Sequence, residues 1–334
     1  MKLNPIFSGN MVFAANKPIL IYGTGKGEAQ ISFAGITRAV ISSEDKWFVE
    51  FPAMQYGGPY ELSFSCGDEM IHFNNIYVGE VYLFAGQSNM EFKMRESNTP
   101  EELYQPEKNL RFFSTDRIEG GDRYTPKDGW IVTEQDNIKD FSAIGYLAGK
   151  ELARNLDIAI GIIVCYQGAS SIESWLPEGT YKRIGIDLAD DEKHPGRFYK
   201  EPLPWHHQGV LYHLSLFPVF PFSISAVVWY QGESNTAPKE GKCYLTALTE
   251  FVRICRNNFN DPKLPFIVVQ IADYKARNDE GWRAVQSAQD EAQRILPHTK
   301  TVISADVCEN DDIHPKTKHH LAKRIADALE TLIV

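Results

Sequence analysis

From Val78 onward the chain carries short, mostly apolar runs, "AIGIIVCY" at 159–166, "ISAVVWY" at 224–230, "LPFIVVQIA" at 264–272 and "KTVISAD" at 300–306, with longer amphipathic stretches between them. A strand that faces water on one side alternates polar and apolar residues; a run without that alternation is covered on both faces. Such runs, spaced by helix-length segments, predict an α/β fold with a mainly parallel sheet. The helical segments are "YLAGKELARNL", "YLTALTEFVRICRNNF" and "RAVQSAQDEAQRIL". A last helix after Pro315 sets Leu321, Ile325, Leu329 and Leu332 along one stripe.

Residues 1–77 have a different texture. "WFVEF" puts Trp47, Val49 and Phe51 on one side of a strand, and "YELSFS" does the same for Tyr60, Leu62 and Phe64, with glycine-rich breaks between. That alternation predicts a small antiparallel β domain over 1–77, followed by an α/β domain over 78–334. The segment 176–209, rich in proline, glycine and charge, is expected to be a long excursion over the sheet, where binding surfaces tend to sit.

Composition narrows the function. A net charge of −10 with no basic run argues against nucleic-acid or anionic-membrane partners. Cys66, Cys165, Cys243, Cys255 and Cys308 are an odd number without CxxC spacing, which suits reduced thiols. Asn4, Pro5, Ser8, Gly9 and Asn10 interrupt any apolar leader, and no segment approaches ~18 apolar residues. The expectation is a soluble cytoplasmic protein, or a secreted or periplasmic one if a leader has been removed. Oligomeric state leaves no mark in the sequence.

In an open α/β sheet, ligands bind beyond the carboxyl ends of the strands. In "VYLFAGQSNMEF" (81–92) the apolar run stops at Gly86 and presents Ser88 between the amides Gln87 and Asn89. The run ending near Gln167 leads to Gly168-Ala169-Ser170, the next to Gln231-Gly232-Glu233-Ser234-Asn235, and the last to Asp311-Asp312-Ile313-His314-Pro315. Serine becomes a useful nucleophile when a base takes its proton, and His314 is the histidine placed after a core strand and before a helix. Asp311 or Asp312 could fix its tautomer. The backbone N–H groups of Ser88 and Gly168 and the Asn235 amide could bind an oxyanion. Gln87, Gln231 and Glu233 are the candidate substrate contacts. Each piece also has a plainer reading, with Ser88 and Gly168 as turn residues, Glu233 and Asn235 as partners for loop backbone, and Asp312 as a helix cap. The pairs His206-His207 and His319-His320 suggest a metal, but adjacent histidines are expected to point apart and no third ligand is placed for them. No metal or other cofactor is expected.

Taken in order, "FSGNMV", "FPAMQYGGPYEL", "VGEVYLFAGQSNMEF", "GASSIESW", "VVWYQGESN", "LPFIVVQIADY" and "DDIHPKTK" resemble the sialate O-acetylesterase-like carbohydrate esterases of the SGNH hydrolase superfamily over nearly the whole chain. The resemblance implies a flavodoxin-like three-layer α/β/α hydrolase domain after a small β-sandwich. By matching position it makes Ser88 the nucleophile, His314 the base, and Gly168 and Asn235 oxyanion donors. The serine sits in a GQSN block and not in the GxSxG elbow of α/β-hydrolases. Two features depart from the pattern. Gly168-Ala169 stands where two glycines are common, and the DxxH spacing selects Asp311 while the DIHP signature selects Asp312. We favour Asp311, with Asp312 serving the start of the last helix. The implied activity is hydrolysis of O-acetyl esters on an acetylated carbohydrate, with 9-O-acetyl sialic acid first in mind, through an acetyl-serine. The alternatives are an acetylxylan esterase and a non-catalytic carbohydrate-binding protein using Trp175 and Trp205.

Overall fold

The structure, a computed structural model, describes residues 1–115, 129–188 and 203–332. The first part is all strand: β1 (Lys2–Leu3), β2 (Val12–Ala14), β3 (Ile19–Thr24), β4 (Gly27–Phe33), β5 (Ile36–Ser42), β6 (Lys46–Phe51) and β7 (Gly57–Cys66) lead into β8 (Glu69–Gly86). β1, β3 and β6 form one antiparallel sheet; β4 pairs antiparallel with β5 and β7, and β7 with the start of β8. The alternation read in the sequence is real, since Trp47, Phe51, Leu62 and Phe64 are buried. The pairing is not antiparallel throughout, however: β2 runs parallel to β8, with Phe13 opposite Val78.

Beyond Gly86 the order is α1 (Ser88–Glu91), β9 (Leu110–Ser114), β10 (Ile131–Val132), α2 (Ala143–Leu156), β11 (Ile160–Tyr166), α3 (Thr180–Arg183), β12 (Ala226–Tyr230), α4 (Pro238–Asn258), β13 (Phe266–Val269), α5 (Glu280–Ile295), β14 (Thr299–Val302) and α6 (His319–Glu330). The strands lie in the order β10-β9-β11-β8-β12-β13-β14, parallel except for β10, which runs antiparallel to β9. The result is a mixed α/β fold. Successive residues of β8 point to opposite faces of the sheet. Val81, Leu83 and Ala85 join a buried cluster with Phe251 of α4 and Trp282 and Val285 of α5, while Tyr82 and Phe84 join another with Leu152 of α2 and Ile325 and Leu329 of α6. Each fully buried side chain of this kind contributes about 1.5–3 kcal/mol relative to exposure.

β8 is continuous over Glu69–Gly86, so the expected boundary at 77/78 falls inside one strand. The first part also packs directly on the α/β part. Phe13 stacks on Phe222 at 5.6 Å, Trp130 Nε1 donates to the Ile6 carbonyl at 2.9 Å, and Lys17 Nζ donates to the Ile224 carbonyl and to Asp261 Oδ2, each at 2.7 Å. Of the excursion expected over 176–209, residues 189–202 lie outside the described residues; the rest holds α3 and a short turn that carries Trp205. All five cysteines are free thiols. Among the described residues no helix is long and apolar enough to cross a membrane.

Candidate active site

The carboxyl ends of β8, β11 and β12 finish level, with Gly86 opposite Tyr166 on one side and Tyr230 on the other. Gly86 has φ +153°, and a Cβ there would lie 2.0 Å from the Tyr230 carbonyl oxygen, so glycine is what lets β12 come this close. Backbone bonds tie the three ends: Gln87 N–H donates to Tyr230 O and Gln167 N–H to Gly86 O, both at 3.1 Å. The chain then turns at once into α1, whose first residue is Ser88. The first N–H groups of a helix have no intrahelical partner, so the Ser88 N–H is not consumed within α1.

His314 comes from the loop between β14 and α6, and its Nε2 meets Ser88 Oγ at 2.8 Å. The Phe92 ring lies against the imidazole, with centroids 6.2 Å apart and planes inclined by 26°. Burial first, and then the nearby charge of Lys318, pull the imidazole below its usual 6.5, against the opposite pull of Asp312 and Glu96. Near neutral pH the ring is therefore uncharged and able to accept the serine proton. Asp311 and Asp312 are both exposed. Asp312 Oδ1 accepts the backbone N–H of His314 at 2.9 Å, and no hydrogen bond joins either carboxylate to the imidazole among the described residues. α6 begins at His319, so Asp312 does not start the last helix; it closes a turn that sets the direction of His314.

The expected oxyanion donors are placed unequally. Gly168 lines the cavity beside Ser88, and its N–H donates to Glu91 Oε2 at 2.9 Å. Ala169 has φ +59°, the left-handed region, which accounts for the glycine common there in the family pattern. Its carbonyl is bonded by His206 Nε2 at 2.6 Å, and His206 Nδ1 accepts the Leu203 N–H at 3.1 Å, so this ring is occupied by backbone. Asn235 does not reach the cavity. Only 1% exposed, its Oδ1 accepts from Ile172 N–H at 2.9 Å and Gln231 Nε2 at 2.8 Å, and its Nδ2 donates to Glu173 Oε2 at 3.1 Å. The plainer reading holds at this position, because buried loop backbone after β11 must find partners away from water. Gln231 is likewise buried, bonded to Ser170 O and Tyr244 OH, and buried Glu233 is bonded to Asn89, so neither lines the cavity where substrate contact was expected. Gln87 does line the cavity, while its Oε1 accepts the N–H groups of Gly232 and Ser234 at 3.2 and 3.3 Å. Trp175 is fully buried, donating to Ser170 Oγ at 3.0 Å, whereas Trp205 lines the cavity.

Beneath the Ser88–His314 pair lies a polar cluster absent from the sequence-based expectations. Lys318 Nζ donates to Asn89 Oδ1 at 2.7 Å, and Asn89 Nδ2 donates to Glu233 Oε1 at 2.6 Å and to the Ile313 carbonyl at 3.0 Å. Burial brings the Lys318 ammonium down to about 8 and pushes the Glu233 carboxyl up. Lys318 precedes Leu321, Ile325 and Leu329 at helical spacing, so a lysine on the apolar stripe of the last helix was the available signal. No group of three His, Cys, Asp or Glu side chains fit to hold a metal ion occurs among the described residues. The rings of His319 and His320 do not point apart as expected; their centroids are 4.1 Å apart.

Ser88, His314, Gly168, Gln87, Lys93 and Trp205 open onto one cavity of about 560 Å³, a volume suited to a small ligand. A serine activated by a neutral imidazole at the wall of such a cavity can attack an ester or a related acyl group. A family model described as "Carbohydrate esterase, sialic acid-specific acetylesterase" matches residues 78–331. The chain is 26% identical over 347 residues to mouse sialate O-acetylesterase, covering 86% of this chain and 63% of that one, and 26% identical over 323 residues to the human protein, covering 86% and 60%. It therefore spans a little over three-fifths, or less, of the length of these curated relatives. A crystal structure of a carbohydrate acetylesterase from Xanthomonas citri superposes with a TM-score of 0.86 at 27% identity, over 99% of this chain and 75% of the other.

Proposed function

The chain belongs to the sialic acid-specific acetylesterase family of carbohydrate esterases, and from that premise we propose that it hydrolyses O-acetyl esters on sugars through an acetyl-serine at Ser88. The observation that carries this reading is the 2.8 Å contact between His314 Nε2 and Ser88 Oγ at the cavity wall. In the first half-reaction Ser88 Oγ attacks the acetyl carbonyl while Nε2 takes its proton. The tetrahedral oxyanion is met by the backbone N–H groups of Ser88 and Gly168, and Glu91 gives up the Gly168 N–H as substrate enters. The imidazolium then protonates the departing sugar oxygen. In the second half, His314 draws a proton from water, the hydroxyl adds to the acetyl-serine, and acetate leaves as Oγ regains its proton. Asn235 supports the Gly168 loop and binds no oxyanion. Ser88 and His314 act as a pair, and Asp312 aims the imidazole through the backbone, its Oδ1 accepting the His314 N–H at 2.9 Å.

The names of the mouse and human relatives support sialic acid as the sugar; the 9-O-acetyl group is our proposal for the specific ester. We further read residues 78–334 as an SGNH-type α/β/α unit and 1–77 as a β-sandwich appended to it. The two buried clusters on opposite faces of the sheet support the first. Five free thiols support a reducing, cytoplasmic setting.

Turnover of p-nitrophenyl acetate by the wild type, with a fall of ~10³-fold or more in kcat for a folded Ser88→Ala, tests the reaction. Near-normal turnover by that variant would overturn it, and no turnover by the wild type would favour a binding protein. Release of acetate from acetylated sialic acids against acetylated xylo-oligosaccharides tests the sugar.

A further inference from the structure

Lys318 is fully buried, and among the described residues it forms no ion pair with a carboxylate. Its Nζ lies 4.8 Å from the centre of the Phe92 ring and 5.9 Å from that of Tyr230, and its hydrogen bond goes to Asn89 Oδ1 at 2.7 Å. An ammonium held this way costs several kcal/mol of hydration, and methionine of similar length would fill the space without that cost. What the charge contacts explains why it could be kept. Asn89 follows Ser88 directly, and its other amide atom holds the carbonyl of Ile313, the residue before His314, at 3.0 Å. Phe92, on which the ammonium rests, packs against the His314 ring at 6.2 Å. Both routes from Lys318 therefore end at the imidazole, one through the backbone and one through an aromatic face.

We propose that Lys318 is a positioning residue for the esterase pair: through Asn89 it fastens the His314 loop to the Ser88 turn, and through Phe92 it sets a buried cation behind the His314 ring. That cation opposes the imidazolium. The inference rests on the reading of Ser88 and His314 as nucleophile and base. The Lys318–Asn89 bond fixes which way the Asn89 amide faces, since an ammonium accepts nothing and requires the oxygen. That leaves the NH2 group for Ile313 O and Glu233 Oε1. The charged groups around His314 are few. Asp312 on its own loop and Glu96, at the end of the turn after α1, favour the imidazolium; Lys318, at the start of α6, opposes it. Glu91, Lys93 and Arg95 line the cavity it faces, and Glu233 lies behind Asn89. Lys318 is the buried cation among them, and a charge in a dry site acts over a longer reach than one in water.

The test uses Lys318→Met with p-nitrophenyl acetate across pH, beside wild type and His314→Ala, with folding of each checked by thermal unfolding. The expected result is a KM within about twofold of wild type, a kcat about tenfold lower, and an acid limb of kcat/KM displaced upward by about half a pH unit, or roughly threefold in proton affinity. A purely structural lysine would lower the melting temperature and leave the acid limb in place. A folded Lys318→Met whose pH profile overlies the wild type overturns the inference and leaves the Ser88–His314 reading standing. Wild-type turnover in His314→Ala overturns that reading itself. Should Lys318→Met not fold, the His314 ring is titrated by NMR in the wild type and turnover is measured in Asn89→Ala. A wild-type midpoint at or above 6.5 removes the role of the charge, and normal turnover in Asn89→Ala removes the fastening.

Discussion

Replacing Gly86 with alanine should damage both stability and rate, for a reason that can be sized. The added Cβ would sit 2.0 Å from the Tyr230 carbonyl oxygen and 2.7 Å from its carbon, both backbone atoms that no rotamer change can move. Relief to the 3.4 Å at which ordinary contact begins asks for a shift of about 1.4 Å between β8 and β12. That shift breaks the buried Gln87 N–H to Tyr230 O bond, worth about 1–3 kcal/mol when its partner is stranded, and the unfavourable backbone angle adds about 1–2 kcal/mol. The expected loss is roughly 2–5 kcal/mol in urea unfolding. Ser88 is the second residue along, and a displacement of about 1 Å from its partner is enough to lower kcat by about 10²-fold. Gly67→Ala is the internal control: φ is +59° there, but nothing lies within 4 Å of the new Cβ, so it should cost only about 1 kcal/mol of backbone strain and no rate. A Gly86→Ala protein within about 1 kcal/mol and threefold of wild type would refute the argument from strand approach.

The acid limb of kcat/KM should have its midpoint below 6.5, because burial and Lys318 lower the imidazole pKa and activity falls as pH drops through it; a midpoint above 6.5 would contradict that environment. Asn235→Ala should lose about 2 kcal/mol or more in urea unfolding, since it strands the buried Ile172 N–H and takes one partner each from Gln231 Nε2 and Glu173 Oε2; a loss of ~10²-fold in kcat at unchanged stability would restore it as an oxyanion donor. Asp312→Ala should cut kcat about tenfold by releasing the turn that aims His314, while Asp312→Asn, which keeps an acceptor, and Asp311→Asn should stay within about threefold. A drop of about 10⁴-fold in either Asn variant would instead identify a carboxylate that fixes the tautomer.

Side chains whose environment is dictated by pattern were legible in the sequence. The apolar runs became β11, β12, β13 and β14, and Leu321, Ile325 and Leu329 are buried as their spacing demands. β9 was not legible: Arg111 interrupts "LRFFS", and its charge reads as solvent-facing. In the fold that residue is 2% exposed, its guanidinium lying 4.2 Å from the centre of the Tyr77 ring. The break at 77/78 reflects a change of surroundings along one strand, because β8 is mostly exposed up to Asn75 and buried from Val78 on. At the site, residue type pointed to Ser88 and His314, whose contact follows from the strand ends on which they sit. For Asn235, Gln231 and Glu233 the segment was found but the direction was not. An amide or carboxylate beside a cavity can turn toward it or toward unpaired loop backbone, and that choice depends on neighbours distant in the chain. Lys318 was passed over because lysine is ordinarily solvated.

The passage of β8 through residue 78 separates two kinds of boundary. The stretch that family statistics recognise, 78–331, begins in the middle of that strand. Expressed alone it would open on a half-strand without β2 and β7 alongside, with Phe222 and Trp130 stripped of Phe13 and of the Ile6 carbonyl. The segment marked by the reaction is thus shorter than the segment whose buried surfaces close on one another, and shared ancestry read from that segment need not extend to its cover. Grafting or trimming experiments on this family should take their cut points from strand continuity, keeping residues 1–77 even when the aim is catalysis alone.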